Sequence, residues 1–237
     1  MKWVPDRTGR FPRRPHYQPD AIDAQCERLV QKFLTKKYGK VEFPLKTEDI
    51  TILIEERADL DSCVDLSPEE GEVEGVTEFR PGHRPLVKIS DRLSAPHMEN
   101  RLRTTLTHEF GHVYFHHFMF ESLGQTGSLF PDVQRAHTNK CKRANIEGAA
   151  ETDWMEWQAG YACGAILMPA GALIETVQAF RAKKQLPFRN LVVGSDAGQE
   201  LIGLVASTFQ TSRDAARVRL LKKEILADPT ASTADLF

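Results

Sequence analysis

The sequence predicts an α+β fold, mostly helical with a small antiparallel sheet, and three observations predict it. Apolar residues recur at helical spacing in Leu102, Leu106, Phe110, Val113 and Phe118, and again in Met155, Ala159, Ala162 and Ile166. Two strand-like segments, residues 72–79 and 85–89, flank the turn residues Arg80, Pro81, Gly82 and His83. The chain has 237 residues, 41% of them hydrophobic, enough to bury the core of one large domain or of a core with small appendages.

In chain order, residues 1–20 are rich in proline and arginine. Lys2, Arg7, Arg10, Arg13 and Arg14 stand against Asp6 and Asp20, which predicts an extended basic arm. Ile22, Leu29, Val30 and Phe33 mark an amphipathic helix ending near Gly39. Thr47, Glu48 and Asp49 can cap a second helix running to about Ala58, although Ile50-Thr51-Ile52 leaves a strand as the alternative. The two strands follow, and then the first long helix. After a second helix ending at Met168-Pro169 and a linker over 185–195, Leu201, Leu204, Val205 and Phe209 lead to a turn at Gln210-Thr211. Ser212 can cap a last helix from Arg213 to Leu226. The expected division is an arm over 1–20, a core domain over 21–185 and a helical segment packed on it over 186–237.

The chemistry concentrates in His108-Glu109-Phe110-Gly111-His112. Positions i and i+4 share a helix face, so His108 and His112 can grip one ion while Glu109 reaches a water on it. Imidazole suits Zn²⁺, and two histidines plus a carboxylate leave a fourth tetrahedral position for water. Zinc brings the pKa of that water from about 15.7 towards about 7, and a neighbouring carboxylate can take its proton. Gly111 costs a helix interior about 1 kcal/mol relative to Ala, which suggests close approach of another element or of the metal. His116 reads as a supporting or packing histidine rather than a ligand.

The third ligand has to come from elsewhere. Glu156 begins the second long helix, where Gly160, Cys163 and Gly164 let a neighbour pack close. Alone, a glutamate in a first turn serves the helix dipole. Beside the His108/His112 pair it is the best third ligand.

Cys26, Cys63, Cys141 and Cys163 show no close pair or repeated spacing, which excludes a disulfide framework. Cys26 and Cys163 read as small buried hydrophobes. Cys141 lies among Lys140, Lys142 and Arg143, cations that favour its thiolate. It is either a fourth zinc ligand that holds the site shut or an ordinary loop cysteine.

The run HEFGHVYFHH over 108–117, with Glu156, Ala159, Ala162 and the Ile166-Leu167-Met168-Pro169 ending, resembles the ImmA/IrrE family of bacterial and phage zinc metallopeptidases. Arg101 and Arg103-Thr104-Thr105-Leu106-Thr107 also resemble the family's approach to the motif. The resemblance covers residues 86–174 well and the C-terminal helices loosely. It implies a zincin-like metallopeptidase core with zinc on His108, His112 and Glu156 and with Glu109 as general base. It also implies, as substrate, a helix-turn-helix transcriptional repressor whose cleavage releases stress, mobile-element or anti-phage genes. Where the family often has Glu-Ala-Asn, this chain has Gln158-Ala159-Gly160, which keeps the ligand and alters the pocket wall. The stretch over 121–151 is long for the family and reads as a lid or regulatory loop. Tyr114, His117 and Tyr161 are candidate oxyanion donors.

Arg213, Arg217, Arg219, Lys222 and Lys223 give the last helix a basic side, so a nucleic-acid-binding regulator with a structural zinc site is the alternative. Ala215, Val218, Leu221 and Ile225 give it a packing stripe, which favours packing. The net charge of -2 offers no global argument for nucleic acid. The basic arm and the Lys140, Lys142 and Arg143 cluster are nonetheless expected to meet single-stranded DNA as an activator. No run of about 18 apolar residues or secretion-signal h-region occurs, so no membrane is expected and the expected compartment is the cytoplasm.

Overall fold

The computed structural model describes residues 1–69, 72–80, 82–125, 137–142, 153–187 and 189–228, with backbone alone at 122–125 and 137–142. Residues 2–16 form a hairpin, β1 (Lys2–Pro5) and β2 (Arg13–His16), in which Trp3 pairs with Pro15. The extended arm is thus replaced by a folded element, because the chain between the strands is tied to the core. Phe11 is buried against Phe120 and Trp154, and Arg10 makes a two-pronged salt bridge to Asp153 at 2.9 and 3.2 Å.

Helix α1 (Pro19–Tyr38) starts with proline in its first turn and ends on Gly39 at φ 73°, whose N–H donates to the Thr35 carbonyl. Its buried stripe of Ile22, Cys26, Val30 and Phe33 faces the core. The segment that admitted two readings is helix α2 (Thr47–Glu55). Ile50, Leu53 and Ile54 bury one helical face, and Asp49 caps it by accepting from the Lys46 N–H while also taking Lys37 and Tyr38 at 2.8 Å.

Strands β3 (Asp59–Val64), β4 (Val73–Phe79) and β5 (Leu86–Ser90) join β6 (His137–Lys142) in one sheet of order β3-β5-β4-β6. The sheet is mixed, which corrects the purely antiparallel expectation: β4 runs antiparallel to β5 and β6, while β3 runs parallel to β5. The polar sequence of β3, with Asp59, Asp61 and Ser62, hides it from a pattern search, since its side chains are mostly exposed. On β4, Val73 and Val76 bury against Leu66, while Thr77 and Phe79 turn to helix α3 (Glu99–Gln125).

Helix α3 packs along α4 (Trp154–Leu167), with Gly111 set against Ala159. A Cβ on Gly111 would lie 3.0 Å from both the Cα and the carbonyl oxygen of Ala159. The contact that this glycine foretold is therefore with α4, and it brings the start of α4 against the middle of α3. Asp153 caps α4 by accepting from the Glu156 N–H.

Helices α5 (Ala170–Lys184), α6 (Asp196–Phe209) and α7 (Arg213–Lys222) complete the core, with β7 (Leu191–Val192) and β8 (Leu226–Ala227) pairing in parallel. Ser212 caps α7 as the sequence suggests. The helix ends at Lys222 rather than Leu226, because Glu224 turns left-handed at φ 55° and lets Leu226 bury beside β7. The fully buried Arg103 of α3 donates to the carbonyls of Phe209 and Gln210 at the end of α6. No single helix among the described residues is long and apolar enough to cross a membrane.

Candidate metal centre

The four-residue spacing on α3 stacks His108 over His112, and the crossing at Gly111 delivers Glu156 from the first turn of α4. His108 Nε2 and His112 Nε2 are 3.1 Å apart. Glu156 straddles them, with Oε2 3.1 Å from His108 Nε2 and Oε1 3.1 Å from His112 Nε2. All three residues are buried. Zinc holds tetrahedral nitrogen and oxygen donors at about 2.0–2.1 Å, which spaces neighbouring donors about 3.3 Å apart. One donor atom from each of the three residues lies within 4.8 Å of the others, so the cluster could hold a metal ion.

Glu109 points from α3 towards β4. Its Oε2 accepts a short hydrogen bond from the Thr77 hydroxyl. Its Oε1 is buried with no hydrogen-bond partner among the described residues, an arrangement that calls for a donor such as water. Gly75 makes room for it, since a Cβ there would stand 2.6 Å from Glu109 Oε1. Thr77 and Gly75 are not among the residues that the sequence singles out. Nothing local marks them, except that the alternation of β4 puts both on the face opposite Val76.

Burial acts on every charge in the site. It raises Glu109 above its usual range, outweighing the pull of His112 and His108. Burial would lower His112 and raise Glu156, but their mutual attraction wins and moves each the other way: His112 is raised and Glu156 is lowered. Burial, with the neighbouring His112 adding to it, keeps His116 neutral, far below the ordinary histidine value.

The remaining candidates fall in different places. Cys141 lies on β6 with its Cα opposite Gly75, but its side chain is outside the described residues. Tyr161 donates its hydroxyl to Asp23 at 2.9 Å, which engages it away from the metal triangle. Tyr114 packs on Phe110 and Phe115 under the Arg57 guanidinium, and His117 stacks on Phe79. One helical turn from the cluster on either helix, Thr104 and Gly160 line a cavity of about 340 Å³ that continues past Leu167, Met168, Ala215 and Val218.

No family model and no curated protein matches this chain.

Proposed function

We propose that the chain is a zinc-dependent endopeptidase that cuts a helix-turn-helix transcriptional repressor. The observation that carries this reading is the buried triangle of His108, His112 and Glu156 with Glu109 Oε1 beside it, which has no hydrogen-bond partner among the described residues. The repressor as substrate follows from the resemblance of residues 86–174 to ImmA/IrrE peptidases.

Zinc, when bound by His108, His112 and Glu156, supplies Lewis acidity that polarises the amide carbonyl and acidifies water. Glu109 takes one proton from the attacking water as the oxygen–carbon bond forms, and returns it to the amine as the carbon–nitrogen bond breaks. Thr77 fixes Oε2 and so leaves Oε1 as the basic atom. The wall left open by Gly160 gives the neighbouring cavity room for an apolar side chain of the substrate.

An extended substrate is read most simply by adding to the edge of β4, the strand beside Glu109. That edge carries β6, a strand from the chain's own segment between the ligands. Substrate therefore has to displace β6, and the enzyme idles until something releases it. Single-stranded DNA bound by Lys140, Lys142 and Arg143 is the proposed release signal.

The test is purified protein mixed with the repressor encoded beside it, with and without single-stranded DNA across a salt titration. Cleavage by the native chain and its loss by about 10²-fold or more in Glu109→Gln, with zinc retained, is the expected result. Equal cleavage by the two proteins removes Glu109 from the mechanism, and cleavage indifferent to DNA removes the release signal alone.

A further inference from the structure

His112 is held from behind by a chain of hydrogen bonds that ends on the N-terminal hairpin. Its Nδ1 lies 3.2 Å from His116 Nδ1. His116 Nε2 lies 3.1 Å from Gln158 Oε1, and Gln158 Nε2 donates to the Pro15 carbonyl at 2.9 Å. His116 and Gln158 are buried, so no bulk solvent competes for these bonds. His108 has no such support: its Nδ1 is buried without a hydrogen-bond partner among the described residues.

The direction of every proton in this chain follows from one fixed point. The Pro15 carbonyl can only accept, so it turns the Gln158 amide to present NH₂ to Pro15 and oxygen to His116. Against an oxygen, His116 Nε2 must carry the proton. A neutral imidazole with its proton on Nε2 has a bare Nδ1, which can only accept, so His112 must donate from Nδ1. The lone pair of His112 is then on Nε2, the atom 3.1 Å from Glu156 Oε1.

We propose that Gln158 and His116 are positioning residues for the metal centre: Gln158, oriented by the Pro15 carbonyl, holds His116 in the Nε2–H tautomer, and His116 holds His112 in the Nδ1–H tautomer that can ligate a metal. The proposal rests on the reading of His112 as a ligand. Glutamine departs here from the resembling family's glutamate, and this geometry gives it a task beyond lining a wall. A hydrogen bond to the non-ligating nitrogen fixes ring orientation, and losing such a partner costs about 10- to 100-fold in metal affinity.

The test has two parts that fail separately. Long-range ¹⁵N–¹H correlation spectra of the native protein report each ring's tautomer. The expected spectrum of the zinc-loaded chain has His116 protonated on Nε2 and His112 on Nδ1. His116 protonated on Nδ1 overturns the proposal, and it does so without any variant having to fold. Zinc competition against a chromophoric chelator then compares the native chain with Gln158→Leu, which removes the acceptor, and Gln158→Glu, which keeps an oxygen for His116. The expected result is affinity weakened about 10- to 100-fold in Gln158→Leu and largely kept in Gln158→Glu. Native affinity in Gln158→Leu overturns the relay while leaving the metal site standing, whereas a native chain that binds no zinc overturns the site itself.

Discussion

Two glycines on facing helices do opposite things. At Gly111 a Cβ would press within 3.0 Å of the Ala159 backbone, whereas at Gly160 nothing lies within 4 Å of where a Cβ would stand. Gly111→Ala should therefore overpack the α3–α4 crossing and cost about 1–3 kcal/mol of stability, read as a lowered midpoint in denaturant. Gly160→Leu should fold, since leucine favours a helix over glycine by up to about 1 kcal/mol. It should bind zinc as before and raise KM for peptides by filling the cavity lined by Leu167 and Val218. Steady-state kinetics with unchanged KM would show that this cavity does not receive substrate. The clustering of these three side chains was legible in the sequence, because His108 and His112 are local helical neighbours and Glu156 opens the next long helix. Thr77 lies 32 residues from Glu109, and Pro15 lies 143 from Gln158. Such partners leave no local periodicity to read.

At the scale of elements, periodicity found the helices where one face is buried and failed where the face is exposed. Helix α3 and strands β4 and β5 are where their spacing puts them, whereas β3 is polar and its parallel partnership with β5 has no sequence signature. The N-terminal hairpin was hidden for another reason. Its arginines read as a solvated run, but Arg10 pairs with Asp153 and the Arg14 guanidinium lies 5.7 Å from the Trp154 ring. Strand β6 carries the functional consequence. Successive N–H groups of a strand point to opposite edges, so one of Thr138 and Asn139 aims its N–H at β4. Prolines at both positions remove that donor and weaken the strand. Basal repressor cleavage should rise several-fold in this variant with zinc content unchanged. Cleavage that stays at the native level would mean that β6 does not guard the β4 edge.

Across the whole molecule, the two ends of the chain meet at Asp23. This buried carboxylate of α1 accepts from Arg219 at 2.6 Å, from Lys223 at 2.9 Å and from the Tyr161 hydroxyl. Arg213 donates to the carbonyl and side chain of Gln199. Arg213, Arg219 and Lys223 on the last helix and its end are thus bonded within the chain, which explains why a helix with a basic side packs on the core. Burial would raise Asp23, but Arg219 and Lys223 outweigh it and hold the carboxyl below its ordinary range. A depressed folded value means that its contribution is complete above about pH 4 and is lost as pH falls through the folded value. Asp23→Asn leaves Arg219 buried without its charge partner, so stability at neutral pH should fall by about 3–5 kcal/mol. The variant should also lose part of the native chain's dependence on pH below 4. Denaturant unfolding that matches the native curve would show that the C-terminal helices are not clamped to the core through this residue.

If His108, His112 and Glu156 form one zinc site, native mass spectrometry will count the metal they hold. The expected count is about one zinc per chain in the native protein, and none in the folded double variant His108→Ala, His112→Ala. Full zinc occupancy in that double variant would contradict it.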